Sequence, residues 1–438
     1  MNKLSQYNYL VPYEERVIYY NGISRHVFSL DKKEHERMQE LLQDLVSFEA
    51  NYTSVFNRFK EWGFVIDEEV DEIDVLRFRN RKEIYSDRTY RLFINPTLEC
   101  NFSCWYCYEK HPAGRMSDET MERIKKHIVY MIEQVKIDGL VLSWFGGEPL
   151  LYFDEIVYPI SIFAKQLCEK YRIPFKNGAT TNASKINPDM VRKMKEIDMD
   201  GFQITLDGDE SRHNKIRNEN GRATFRKIIE NIGLLCEHLP DVYITLRINY
   251  DNQTLERSDM LSVFKMIPEQ YRKNIGVDFQ RVWQTGGSAT GEYQKRKTLY
   301  DSCSELGYAP NGISQAFMLG RNHKCYSDRR FYAELNYDGK VYRCTARGYD
   351  DKYVLGELLE DGRIVWDEKK LAGLIGKATF ENEMCLACRY LPLCLGPCSQ
   401  KRKETPDENL DCICYLNDCE ISPETAIIDY YKRKMDLI

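Results

Sequence analysis

Three cysteines stand at a spacing suited to chemistry: Cys100, Cys104 and Cys107 form C-x3-C-x2-C. Three thiolates suit a four-iron cluster and leave one iron without a protein ligand, open to a chelating small molecule. A zinc knuckle or reduced cysteines would be the plainer account. Zinc sites, however, favour C-x2-C pairs with a fourth ligand rather than a C-x3-C-x2-C run. Downstream, Trp144-Phe145-Gly146-Gly147-Glu148-Pro149 sets two glycines, which let a ligand approach the backbone, beside a carboxylate. That carboxylate can accept hydrogen bonds from an ammonium group.

The chain has 15 cysteines, and seven of them fall between Cys385 and Cys419. Cys385, Cys388, Cys394 and Cys398 read C-x2-C-x5-C-x3-C, while Cys325, Gly339 and Cys344 read C-x13-G-x4-C. Such clustering in an intracellular chain reads as metal or iron–sulfur sites rather than disulfides, with structural zinc the bland alternative. Cys168 and Cys236 differ: in Gln166-Leu167-Cys168 and Leu234-Leu235-Cys236 they lie on amphipathic stretches and read as small buried hydrophobes.

Elements must hold these groups. Between residues 89 and 300 short apolar strands alternate with amphipathic helices. The strands are Tyr90 to Asn95, Gly139 to Trp144, Asn177 to Thr181, Gly201 to Thr205, Val242 to Asn249 and Val277 to Val282. The helices include Glu119 to Val135 and Thr224 to His238. That rhythm implies α/β architecture with a parallel sheet, open or closed as a barrel, and chemistry at the C-terminal strand ends. Residues 1–88 read as a winged-helix-like α+β module. A hairpin of Tyr9-Leu10-Val11 and Arg16 to Tyr20 turns at Asn21-Gly22, and a helix runs from an Asp31 N-cap to Leu45. A second helix, Tyr52 to Trp62, stops at Gly63, and Phe64-Val65-Ile66 closes as a strand. Residues 301–438 are cysteine-rich, with a hairpin over Phe331 to Tyr342 turning at Asp338-Gly339, and with a terminal helix from Glu424. Lys401-Arg402-Lys403-Glu404 reads as a solvated helix end.

Composition narrows the classes. The 438 residues are 43% hydrophobic and 30% charged, too apolar for disorder and too charged for a membrane bundle. Apolar stretches such as Ile156 to Phe163 fall short of the ~20 residues of a membrane span. Met1 to Tyr9 lacks an apolar core, so no signal peptide and a cytoplasmic location are expected. A net charge of −6, with 8 basic against 15 acidic residues over 1–75, argues against a nucleic-acid partner.

Taken together, the cysteine loop, the Gly-Gly-Glu-Pro motif and the downstream cysteines resemble the radical SAM superfamily. The likeness is to its SPASM-containing, peptide-modifying branch, over nearly the whole chain. The resemblance implies a partial (β/α)6 TIM-like barrel and a C-terminal cysteine-rich SPASM domain. It also implies three [4Fe-4S] clusters and S-adenosylmethionine. Cys100, Cys104 and Cys107 would carry the cluster that chelates S-adenosylmethionine. Tyr106 would lie near the adenine and Gly146, Gly147, Glu148 and Pro149 along the methionine amino group. Thr181-Asn182, Thr205-Leu206-Asp207 and Arg247-Ile248-Asn249 would contact ribose and carboxylate, although Asn182 and Thr205 could equally cap strand ends. Cys325, Cys344 and Cys398 would bind a first auxiliary cluster, with Cys303 as fourth ligand or with an open iron. Cys385, Cys388 and Cys394 would bind a second, completed by Cys412, Cys414 or Cys419, of which Cys414-Tyr415-Leu416 fits best.

The family's chemistry is one-electron cleavage of the sulfonium to a 5′-deoxyadenosyl radical that abstracts hydrogen from an unactivated carbon, the protein supplying position and exclusion of water. The expected substrate is a ribosomally made precursor peptide, its leader added as a strand to a sheet edge within Val17 to Phe28. The expected reaction is thioether or carbon–carbon cross-linking, with an electron donor such as flavodoxin or ferredoxin. Epimerisation, side-chain oxidation of a protein and a non-enzymatic iron–sulfur electron carrier are the rivals. Thr345 stands where sulfatase-maturing relatives carry a basic Asp, so no general base is identified.

Overall fold

The structure, a computed structural model, describes residues 1–251, 260–285, 292–309, 325–414, 416 and 422–435. The chain falls into two compact units. One comprises Met1–Ser86, Ser314–Cys325 and Gly373–Ile438, the other Asp87–Ile313 and Tyr326–Ala372.

The first unit opens with β1 (Asn2–Leu4), β2 (Asn8–Tyr13), β3 (Arg16–Asn21) and β4 (Val27–Asp31). There follow α1 (Lys32–Gln43), α2 (Leu45–Asn51), α3 (Thr53–Glu61), β5 (Val65–Asp67) and α4 (Glu72–Ser86). Strands β2, β3 and β4 form an antiparallel sheet, and β5 pairs with β1 rather than with the hairpin. Asp31 caps α1 as expected: it accepts from Glu34 N, and Glu34 reaches back to Asp31 N, closing a capping box.

Two expectations shift. The β2–β3 hairpin turns at Glu14-Glu15, not at Asn21-Gly22, which lies in the next turn, into β4. Asn21 is drawn there because its Oδ1 accepts from Ile23 N and Ser24 N while its Nδ2 donates to Ser5, Asn8 and Gly63. Most of the proposed docking edge is also interior. β3 is paired on both sides, so Val17 to Asn21 has no free edge, and only Val27 and Phe28 belong to an edge strand, β4.

An aromatic core of Tyr19, Phe48, Phe56, Phe59 and Phe64 holds the helices to this sheet; each such buried side chain contributes about 1.5–3 kcal/mol. The tail of the chain completes the unit. Tyr9 stacks on Tyr390 at 5.8 Å and donates to Arg389 O, while Tyr20 meets Tyr430 edge-on at 5.7 Å. Helix Pro423–Lys434 also brings Tyr431 to Ser29 at 2.8 Å.

In the second unit β6 (Thr89–Ile94), β7 (Gly139–Trp144), β8 (Phe175–Thr181), β9 (Met199–Leu206), β10 (Tyr243–Tyr250) and β11 (Ile275–Arg281) pair parallel in chain order. Each expected strand is present within a few residues. Helices α5 (Asp118–Tyr130), α6 (Tyr158–Tyr171), α7 (Pro188–Glu196), α8 (Glu210–Ile216) and α9 (Phe225–His238) lie between strands. This is the partial TIM-like barrel. Alternate strand residues, among them Leu92, Ile94, Leu142 and Trp144, are fully buried in the apolar core. Trp144 Nε1 is satisfied there by Ser161 and Asn177.

Phe93, Ser143, Gly178, Thr180, Gln203 and Thr245 line a cavity of about 460 Å³. The sheet then continues beyond residue 300. β12 (Tyr332–Leu335) adds parallel to β6, with Glu334 beside Phe93, and β13 (Lys340–Tyr342), β14 (Gly356–Leu358) and β15 (Ile364–Trp366) follow antiparallel. The Phe331 to Tyr342 hairpin is therefore part of the barrel sheet. Among the described residues no helix is long and apolar enough to cross a membrane.

Candidate active site

The cysteine loop leaves the C-terminal end of β6 and is pinned by its own side chains. Thr97 Oγ1 accepts from Glu99 N, Glu99 takes Gly114 N and Tyr152 OH on its two oxygens, and Cys107 N donates to Cys104 O. The Gly-Gly-Glu-Pro turn lies directly against it. Gly147 has φ +43, and a Cβ there would stand 2.1 Å from Glu99 O and 2.6 Å from Leu98 O. Gly147 N donates to Glu109 at 2.8 Å, and Glu148 N donates to Glu99 O at 2.8 Å. Close approach of the cysteine loop is thus what this glycine permits.

Glu148 is buried, and its carboxylate accepts from Leu150 N, Thr181 Oγ1 and Asn182 N at 2.7–3.0 Å. Burial pushes its pKa up against those donors. Asn182 bridges onward, its Nδ2 donating to Asn101 inside the cysteine loop. The β7 turn, the β8 end and the loop are therefore one hydrogen-bonded frame.

A second cluster joins the β9 and β10 ends to the same loop. The Tyr106 hydroxyl donates to Asp207 and accepts from Arg217 Nη1 at 2.8 Å and Asn249 Nδ2 at 3.1 Å. Thr205 is buried one strand away from Arg247. Arg217, which the sequence does not single out, follows α8 and is buried with Nε unpartnered; Asp207 Oδ1 is likewise unpartnered. Tyr106, Cys104 and Asp207 raise the pKa of Arg217 despite its burial, so a fixed cation stands beside the thiols. No motif marks it; its signal is only a basic residue one short helix after a barrel strand.

The chemistry of the donors fits a metal centre. Burial lifts the Cys100 thiol to about 12, so a thiolate there needs a cation to stabilise it, while Cys107 stands exposed at the end of the same run. Backbone N–H groups two residues on already point at sulfur: Phe102 N to Cys100, Tyr390 N to Cys388 and Gly396 N to Cys394, each at 3.4 Å. Such bonds to sulfur are among those that tune iron–sulfur centres. Cys385 and Cys394 are raised by burial first, and then by Cys388 and Cys414, so these four sulfurs lie within electrostatic reach. Cys412 is exposed, and Cys419 lies outside the described residues.

Cys325 and Cys398 belong to the first unit and Cys344 to the second. Cys303 and Cys168 are buried in the barrel's apolar core, and Cys236 is half-buried against it. Among the described residues no three His, Cys, Asp or Glu side chains already stand at metal-binding separation.

Residues 94–261 match the Radical SAM superfamily model. Mycofactocin maturase MftC of Mycolicibacterium smegmatis is 21% identical over 318 residues, 69% of this chain and 76% of that protein. A probable GTP 3′,8-cyclase of Methanococcus aeolicus is 23% identical over 291 residues, 62% and 90% of the two chains. In fold, native anSMEcpe with bound AdoMet aligns at a TM-score of 0.57 and 19% identity, covering 79% of this chain and 98% of that one. Streptococcus suis SuiB bound to precursor peptide SuiA aligns at 0.51 and 16%, covering 93% and 98%. The superfamily implies a [4Fe-4S] cluster and S-adenosylmethionine. With the cysteine loop, its supporting frame and the strand order already in place, residues 94–261 of this chain form a radical SAM domain.

Proposed function

We propose that this chain is a radical SAM enzyme of the SPASM branch that modifies a ribosomally made precursor peptide by closing a thioether or carbon–carbon cross-link. The observation that carries the reading is the three-cysteine loop at the end of β6, locked under Gly147 within a radical SAM domain. Cys100, Cys104 and Cys107 would hold the first [4Fe-4S] cluster. Cys385, Cys388, Cys394 and Cys414 would hold an auxiliary one, and Cys325, Cys344 and Cys398 another. The chemistry such a cluster supplies with bound S-adenosylmethionine is a 5′-deoxyadenosyl radical that takes a hydrogen atom from carbon.

The chain's own residues do the rest. Arg217 offers a buried guanidinium to an anionic group, and Asp207 an unpartnered carboxylate oxygen to a donor. Tyr106 and Asn249 fix both from the side. Gly146 to Pro149 and Asn182 set the loop and the strand ends around them, and Thr205 lies buried at the end of β9. In this reading residues 1–88 recognise the leader, 89–300 do the chemistry and 301–438 carry the auxiliary clusters. β4 is the edge on which a leader strand would add. That SuiB is solved with its precursor peptide over a fold matching 93% of this chain supports the peptide substrate. A flavodoxin or ferredoxin of the cytoplasm would supply the electron.

Mass spectrometry of the short peptide encoded beside the gene, after anaerobic co-expression, tests the reading. Loss of two hydrogens that vanishes when Cys100, Cys104 and Cys107 are changed together to Ala is the expected result. An unchanged mass, or a loss that survives the triple variant, refutes cross-linking of that peptide by this site.

A further inference from the structure

Glu334 is an unusual residue to find in a sheet. It lies on β12, fully buried, beside Phe93 in the parallel β6–β12 pair. Directly paired residues face the same side of a sheet, and Phe93 lines the barrel cavity. One carboxylate oxygen, Oε1, accepts from Tyr349 OH at 2.7 Å and lies 3.5 Å from Asn95 Nδ2. The other, Oε2, has no partner, and neither does Oδ1 of Asn95 or of Asn336, all three buried. Buried acceptors left without a donor are costly, so three of them here point to a donor that arrives from elsewhere. Asn95 also lies against Gly146: a Cβ on that glycine would be 2.8 Å from the Asn95 side chain. The patch therefore borders the turn that supports the cysteine loop.

Other carboxylates around the loop are filled by protein donors or have a cation acting on them. Glu148 and Glu99 are filled by protein donors and Glu109 takes Gly147 N, whereas Asp207, which also keeps one oxygen unpartnered, has the Arg217 cation acting on it. The titratable groups that act on Glu334 are Tyr349 and Tyr342 from the loop and strand after it, and Tyr108 and Glu109 from the cysteine loop. None of these four is a cation. Thr345, meanwhile, is engaged with Tyr108 and Tyr326.

We infer that Glu334, with Asn95 beside it, is the proton acceptor of the reaction: its free oxygen receives the proton released as the substrate's new bond closes. The inference rests on the peptide cross-linking reading above. Joining a C–H carbon to an X–H group, with X sulfur or carbon, forms one C–X bond and releases one hydrogen atom, one electron and one proton. Bound S-adenosylmethionine would supply the radical that takes the hydrogen atom, and an acceptor of the iron–sulfur class would take the electron. The proton passes to Glu334, which becomes the neutral acid. Burial, with Glu109 adding to it, raises the carboxyl to about 7, so a proton is held near neutral pH without a neighbouring cation.

Reconstituted enzyme and the gene-adjacent peptide test this through the ratio of cross-linked peptide to 5′-deoxyadenosine released, followed from pH 5.5 to 9. Wild type is expected to lose coupling as pH falls through about 7, because the acceptor is then already protonated. Glu334→Gln is expected to lower the ratio at least tenfold at pH 8 and to show no such limb, while Glu334→Asp retains the limb. An independent readout needs no cofactor: the infrared carboxyl band of a buried acid that disappears between pH 6 and 8 should be missing in Glu334→Gln. A Glu334→Gln enzyme with the wild-type ratio and limb, or no such band in wild type, overturns the assignment. Absence of 5′-deoxyadenosine from wild type instead overturns the radical reading beneath it.

Discussion

Replacing Gly147 by Ala separates two costs that usually come together. Its φ of +43 is in the left-handed region, where a side chain costs about 1–2 kcal/mol. The added Cβ would also stand 2.1 Å from Glu99 O and 2.6 Å from the Leu98 carbonyl carbon, both backbone atoms that no rotamer change can move. Driving that backbone aside costs a further ~1–3 kcal/mol, the usual penalty of overpacking, and shifts Cys100, the next residue. Gly221 supplies the control, with φ +81 and nothing within 4 Å of an added Cβ, so Gly221→Ala carries the left-handed cost alone. Unfolding in denaturant should place Gly147→Ala about 2–5 kcal/mol below wild type and Gly221→Ala about 1–2 below. Iron and sulfide content after anaerobic reconstitution should fall only in Gly147→Ala. If the two variants are equally destabilised and load iron alike, the close-approach argument is refuted.

Two further outcomes follow from buried and capping groups. His127 is buried between Tyr90 OH and Gly362 O, and desolvation lowers its pKa from 6.5 to about 4. The unfolded chain therefore binds the proton first, and about 3 kcal/mol of stability present above pH 6.5 is lost as pH falls towards 4. His127→Gln should flatten that slope in unfolding curves recorded at each pH. Asp31→Ala should cost about 1 kcal/mol through loss of the α1 cap and speed amide exchange over residues 32–36, whereas Asp31→Asn should leave both near wild type.

The barrel strands were legible because each is a short apolar run that ends where chemistry-bearing residues begin. Asp31 and Gly63 were legible as local punctuation, whose physics involves only a few neighbours. What escaped was non-local. Asn21-Gly22 has the composition of a hairpin turn, yet Asn21 is spent tying Ser5, Asn8 and Gly63 together, so the chain reverses earlier, at Glu14-Glu15. β12 joins β6 across some 240 residues, a pairing no periodicity reports, and this hid Glu334. Arg217 escaped for a related reason: a lone basic residue in a loop acquires meaning only once Tyr106 and Asp207 are brought to it.

The tyrosines that join β2 and β3 to the tail have a consequence for synthesis. Residues 1–86 emerge from the ribosome well before the tail, and the surface that covers Tyr9 and Tyr20 begins only after residue 373. At typical elongation rates the interval is roughly 15–60 s. During it the barrel strands are made and can pair, while the N-terminal sheet waits with an aromatic face uncovered. That unit closes only once Tyr430 has emerged, so its cysteines from Cys385 onward become available for metal after the barrel has had time to fold. Truncation a few residues short of Tyr430 should therefore harm the first unit far more than the chain length removed would imply.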